Sequence, residues 1–207
     1  RQAHRKNKRL NEQNNKQTDT QILEEEIRDC VEFENFREEL LRRSPGLDCL
    51  QVATAWRETP KPLTFRFGDN ALTQADYDEV DEFMVPEKGL RDISAIAHLR
   101  NLECLDLNNN PIQDFFPLAG LERLEDLYLE KTGIQDLSVL ASLKNLKVLS
   151  LADNPFTDYS PLHSLLKLKE LDIQFCDEDW KVLEELHSAL SPCVIIHDQY
   201  RFDDDWD

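Results

Sequence analysis

Leu105, Leu127, Leu149 and Leu171 follow one another at a constant interval, and Leu107, Leu129, Leu151 and Ile173 repeat that interval two positions later. This recurrence is the strongest constraint in the chain. A unit of that length cannot cover its own apolar side chains, so successive units must stack and share one continuous core. The phrase LECLDLNNNPIQD (102–114) shows the wording of a unit. Leucines two apart put both side chains on one face of a strand. Asn110 and Asn154, with Thr132 between them, then occupy a bend where a side-chain amide can satisfy backbone groups. Pro111, Gly133 and Pro155 help the chain leave the strand, and Pro117 and Pro161 enter the outer segment with a preset φ.

The pattern reaches back to Phe83 and Val85, one interval before Leu105 and Leu107, and its last copy begins at Leu171. Residues 60–72, PKPLTFRFGDNAL, read as a divergent opening unit. A helix is expected over 178–190, with Trp180, Leu183, Leu186 and Leu190 on one face, followed by a strand in CVIIHD at 193–198. Upstream, Leu23, Ile27, Cys30, Val31, Phe36, Leu40 and Leu41 recur at helical spacing, predicting an amphipathic helix over 20–43 that ends at SPG. The predicted organisation is a disordered basic leader (1–19), a helical cap (20–59), a repeat domain (60–198) and an acidic tail (199–207).

These turns resemble the short leucine-rich repeats of bacterial internalin-like and protein-phosphatase-regulator-like proteins, with the wording LxxLxLxxNxIxDxxPL over about residues 63–198. The resemblance implies an α/β solenoid: a curved coil with a parallel sheet on its concave side, a helical cap before it and a helix–strand cap after it.

Charge is unevenly placed. Of the formal net −18, residues 1–59 contribute −1 and residues 60–207 contribute −17. Such a field repels phosphate backbones, which argues against nucleic acid as a ligand of the repeat and favours a basic protein. It also serves to keep an open fold in solution. No run of about 18 apolar residues is present to span a bilayer. The chain begins at Arg1 rather than methionine, read here as a natural start lying upstream. Its basic run RQAHRKNKR fits a solvated leader better than a membrane flank, and the compartment stays open. Five cysteines show no metal-ligand spacing. Cys176 and Cys193 fall on successive turns, which leaves both the thiol and the disulfide state open.

Asp92, Asp114, Asp136 and Asp158 recur at the same interval as the leucines. One carboxylate per turn at the start of an outer segment fits turn capping; calcium repeats require several oxygen ligands close together. Catalytic motifs are missing: the five histidines are scattered, and there is neither HExxH, GxSxG nor a glycine-rich phosphate loop. No cofactor or metal is expected, and the chain reads as non-enzymatic.

Function is therefore sought where the repeat constrains least. Residues flanking the core leucines face outward on the concave sheet, and in columns they read Met84, Asp106, Tyr128, Ser150, Asp172; then Glu82, Cys104, Asp126, Val148, Glu170; then Asn108, Glu130, Ala152, Gln174. The face is acidic around a single aromatic, Tyr128, a rigid amphipathic anchor ringed by Asp106, Asp126 and Glu130. Met84, Asp106, Asn108, Asp126, Tyr128, Glu130, Val148, Ser150, Glu170, Asp172 and Gln174 form the expected partner-binding face. The reading is a protein-interaction module for a basic partner, in the manner of a bacterial toxin-neutralising protein or a secreted effector or adhesin. The other reading is an architectural scaffold that uses its N-terminal helix or convex side.

Overall fold

The computed structural model describes residues 18–30, 42, 73–177 and 179–197. The leader up to residue 17, most of 31–59, the opening unit at 60–72 and the tail from 198 lie outside the described residues. So does most of the second half of the helix expected over 20–43.

Among the described residues six parallel strands follow in chain order: β1 (Glu82–Met84), β2 (Cys104–Asp106), β3 (Asp126–Tyr128), β4 (Val148–Ser150), β5 (Glu170–Asp172) and β6 (Val194–Ile196). Their register is the sequence repeat made physical: Phe83, Leu105, Leu127, Leu149 and Leu171 are successive partners. Strands of three residues suffice because the middle side chain points to the core while its neighbours face out. Between strands the chain crosses the outer side in short 3-10 segments, Ser94–His98, Phe116–Gly120, Ser138–Ser142 and Ser160–Ser164. Leu118, Leu140 and Leu162 of these segments are fully buried beneath them. One core cluster runs from Leu23 to Cys193 without a break between turns.

The three middle bends are each held by a buried polar side chain. The Asn110 Nδ2 donates to the Val85 carbonyl of the preceding turn (2.8 Å) and the Leu107 carbonyl of its own (2.9 Å), while its Oδ1 accepts from Lys88 and Leu90 N–H. Asn154 does the same two turns later, bonding the Leu129 and Leu151 carbonyls at 2.8 Å each. Thr132, between them, bonds the carbonyl of Leu129 in its own turn, through its hydroxyl at 2.8 Å. The residue just before this position has a positive φ in every turn: Glu87, Asn109, Lys131, Asp153 and Phe175 lie between 54° and 59°. None of these is glycine, so each bend holds an L-residue in the left-handed region.

Each recurrent aspartate accepts the backbone N–H two residues on: Asp92 from Ser94, Asp114 from Phe116, Asp136 from Ser138 and Asp158 from Ser160, at 2.8–2.9 Å. They cap the 3-10 segments. That donated N–H holds the Asp136 and Asp158 carboxyls below the usual carboxylate range.

Both ends are covered. Residues 18–30 are helical (α1), and Leu23 and Ile27 are fully buried in the common core, so this helix packs on its own coil. A single helical turn, α2 (Gln74–Tyr77), precedes β1. At the other end α3 (Trp180–Leu190) replaces the 3-10 segment. Its cap is Asp179, whose side chain accepts from Val182 N–H at 2.9 Å, and it buries Leu183, Leu186 and Leu190. Trp180, expected on that face, is instead 66% exposed. It is the first helical residue, one turn ahead of Leu183, and projects beyond the last covered turn. The sulfurs of Cys176 and Cys193 contact different carbonyls, Leu151 and Gln174 for the first, Val194 for the second.

Candidate functional site

The register places the two strand columns on one face. Met84, Asp106, Tyr128, Ser150 and Asp172 are consecutive cross-strand neighbours, and so are Glu82, Cys104, Asp126, Val148 and Glu170. Both are extended by β6, which sets Val194 beside Glu170 and Ile196 beside Asp172. Those two apolar side chains were absent from the expected face. The step from Leu171 to Ile195 is two positions longer than the step from Leu149 to Leu171, because α3 takes the place of a 3-10 segment. That excess breaks the count that located the other strands. The signal was the β-branched run VII in a predicted strand.

Electrostatics around the anchor adds a carboxylate to the expected ring. The Tyr128 hydroxyl is pushed above its usual pKa first by burial, then by Asp126, Cys104, Glu170 and Asp106. Glu170 thus acts on the anchor together with Asp106 and Asp126 of the expected ring. The Glu130 carboxylate pairs with Lys131 at 3.1 Å, and Lys131 also pairs with Asp153 at 3.6 Å. The Cys104 thiol rises to about 11, again through burial first and then Asp126, Glu82 and Asp106. Two groups on adjacent strands therefore report the same cluster of carboxylates.

Not every carboxylate on the face is equally available. Asp106 accepts the Asn108 N–H at 2.8 Å and Asp172 the Gln174 N–H at 3.0 Å, so each has one oxygen tied to its own strand exit. Asn108 is likewise engaged, accepting from Glu130 N–H at 2.7 Å. The side-chain carboxylates of Asp126 and Glu170 accept no hydrogen bond among the described residues. Ala152 is buried, so the third column is interrupted. The apolar positions Met84, 52% exposed, and Val194, 61% exposed, lie near opposite ends of the sheet. An aromatic in the middle, two unengaged carboxylates beside it and apolar patches at the flanks make a surface suited to contact.

Among the described residues, no three His, Cys, Asp or Glu side chains converge in a way that could hold a metal ion. No described helix is long and apolar enough to cross a membrane.

Stacked parallel strands, asparagine-held bends and capped outer segments define a leucine-rich repeat solenoid, the fold of leucine-rich repeat proteins. The family described as Leucine Rich repeats (2 copies) matches residues 100–142 and 144–185. Its turns resemble those of internalins. An internalin (inlF) of Listeria monocytogenes is 30% identical over 60% of this chain and 36% of that one, with a TM-score of 0.53. Internalin C2 of the same organism is 29% identical over 62% and 66% of the two chains, with a TM-score of 0.48. A leucine-rich repeat protein of Leptospira interrogans is 20% identical over 58% and 38%, also at 0.48. The chain thus spans between about a third and two thirds of the length of these structures. No curated protein matches the sequence significantly. Leucine-rich repeat proteins generally mediate protein–protein interaction, and curved coils of this kind present extended binding surfaces.

Proposed function

We propose that the chain is a protein-interaction module whose acidic concave face holds a basic protein. The observation that carries this reading is the cluster around Tyr128, a half-buried aromatic that has Asp106 as its cross-strand neighbour and Asp126 on its own strand, with Glu170 two strands away adding to the negative field. Tyr128 would enter a basic partner's surface as the rigid anchor, while Met84, Val148 and the newly placed Val194 add apolar contact. Asp126 and Glu170, unengaged within the described chain, are the carboxylates ready to pair with lysine or arginine. Their contribution lies in steering and specificity more than in raw affinity, and it weakens with salt. A toxin-neutralising protein or a secreted effector or adhesin would use the face in this way. The scaffold reading loses support from α1, whose described apolar residues Leu23 and Ile27 are covered by the chain's own coil.

The test is retention of a basic protein from a proteome by the tagged chain at low and high salt, beside Tyr128→Ala/Asp126→Lys, with circular dichroism confirming that the variant folds. Retention released by salt and missing in the folded variant supports the reading. Equal retention by both proteins rejects the concave face.

A further inference from the structure

The outer side of the coil departs from its own rule at one point. Each 3-10 segment opens two residues after its capping aspartate, and that opening residue is Ser94, Ser138 and Ser160 in three turns but Phe116 in the fourth. The preceding position is buried in the other turns, as Ile93, Leu137 and Tyr159, whereas Phe115 is only half-buried. Phe116 is 77% exposed. A repeat that needs only a small polar residue here carries a large aromatic in water, which nothing in the packing of the turn requires.

That phenylalanine borders a groove of about 530 Å³ between two consecutive turns, on the flank away from the concave face. Ile112, Phe115 and Val139 supply an apolar floor, and Asp114 and Asp136 stand at the rim. Both carboxylates use one oxygen to accept a backbone N–H, from Phe116 and Ser138. Neither is ion-paired among the described residues. An aromatic face, an apolar floor and two anionic rims with no cation call for a side chain that is planar, cationic and carried on an aliphatic stem. Arginine meets all three demands, stacking on the ring while its guanidinium bonds carboxylate oxygens.

We propose that the groove beside Phe116 is a second docking site, separate from the concave face, which takes an arginine side chain of a protein partner. The site is independent of the Tyr128 reading, since it shares no residue with the concave face.

The probe is the tripeptide acetyl-Gly-Arg-Gly-amide, titrated to about 20 mM into the 15N-labelled full chain and followed by backbone amide shifts, with the neutral citrulline analogue as control. Saturable shifts of the Phe116 and Ser138 amides are expected with arginine and not with citrulline. Phe116→Ser installs the residue that the other three turns already use, so the fold is retained, and it should weaken binding by about three- to thirtyfold. Tyr128→Ala should leave the titration unchanged. The proposal is overturned by the lack of saturable shifts, by equal response to citrulline, or by unaltered binding in Phe116→Ser. Loss in Tyr128→Ala also overturns it, by moving the arginine to the concave face.

Discussion

The carboxylate of Asp19 accepts the backbone N–H of Arg91 at 3.0 Å, joining two residues far apart in the chain. The same oxygen accepts the Asp92 N–H at 2.9 Å. One turn later, the Gln113 N–H is answered by the Arg91 carbonyl of the preceding turn. Asp19 thus performs for an early turn what the Arg91 carbonyl performs for the next, and it is nearly fully buried as it does so. Asp19→Ala leaves two donors without their acceptor and is expected to lower stability by roughly 1.5–3 kcal/mol in urea unfolding. Glu26→Gln removes only the half-exposed pair with Lys88 and should cost less than about 1 kcal/mol. Equal effects of the two would refute the end-stop role of Asp19.

The bend ladder predicts an order of costs. Asn110→Ala strands two carbonyls and two N–H groups in the interior, and a loss of about 3–5 kcal/mol is expected. Thr132→Ala removes one hydroxyl bond to the Leu129 carbonyl and a longer one to Asn154, for about 1–2 kcal/mol. Thermal or urea unfolding of the two variants side by side decides it; a reversed order would show that the amide is not what holds the bend.

The left-handed positions offer a way to stabilise the chain. Glu87 sits at φ 59° with an exposed side chain, so Glu87→Gly relieves about 1–2 kcal/mol of strain, less about 0.5–1 kcal/mol for the freer unfolded glycine. A net gain of roughly 0.5–1 kcal/mol should appear as a raised unfolding midpoint. Asn109→Gly at the same φ should gain little, because asparagine already tolerates this region. If both variants gain equally, the strain argument fails.

Cys104 gives a chemical readout of the acidic face. A thiol held at about 11 forms thiolate only as pH rises toward that value, so at pH 8 alkylation by iodoacetamide should run about 100-fold slower than at an ordinary thiol near 9. Asp126→Asn removes the largest carboxylate influence on it, so the thiol pKa falls and the reaction accelerates. Peptide-resolved mass spectrometry separates Cys104 from the other cysteines. An unchanged rate in Asp126→Asn would place that carboxylate away from the thiol and dissolve the cluster.

What could be read from sequence was whatever the core demands of side chains. The leucine columns, the asparagine bends and the aspartate caps recur because burial and hydrogen bonding select particular residues. The positive φ at 87, 109, 131, 153 and 175 recurs just as strictly, yet Glu, Asn, Lys, Asp and Phe share no side-chain chemistry, and a demand made on the backbone alone leaves no spelling. Asp19 was hidden for a different reason, since an end-stop occurs once and its partners lie far along the chain. On the concave face the columns followed from alternation, but which carboxylate turns toward Tyr128 did not. Glu170 acts on Tyr128 from two strands away, a relation across the sheet that spacing within one unit cannot reveal.

The constant register has a consequence for how this surface can be altered. Because each strand partner lies one full repeat from the last, excising a single repeat within the regular turns rejoins leucine to leucine and leaves the interior stacked as before. The outer columns, however, close up by one row. Asp106 would come to lie beside Ser150 with Tyr128 gone, a new surface at no cost in design of the interior. Reach and chemistry of the face are thus adjustable by whole rows, as type is reset line by line on an unchanged page.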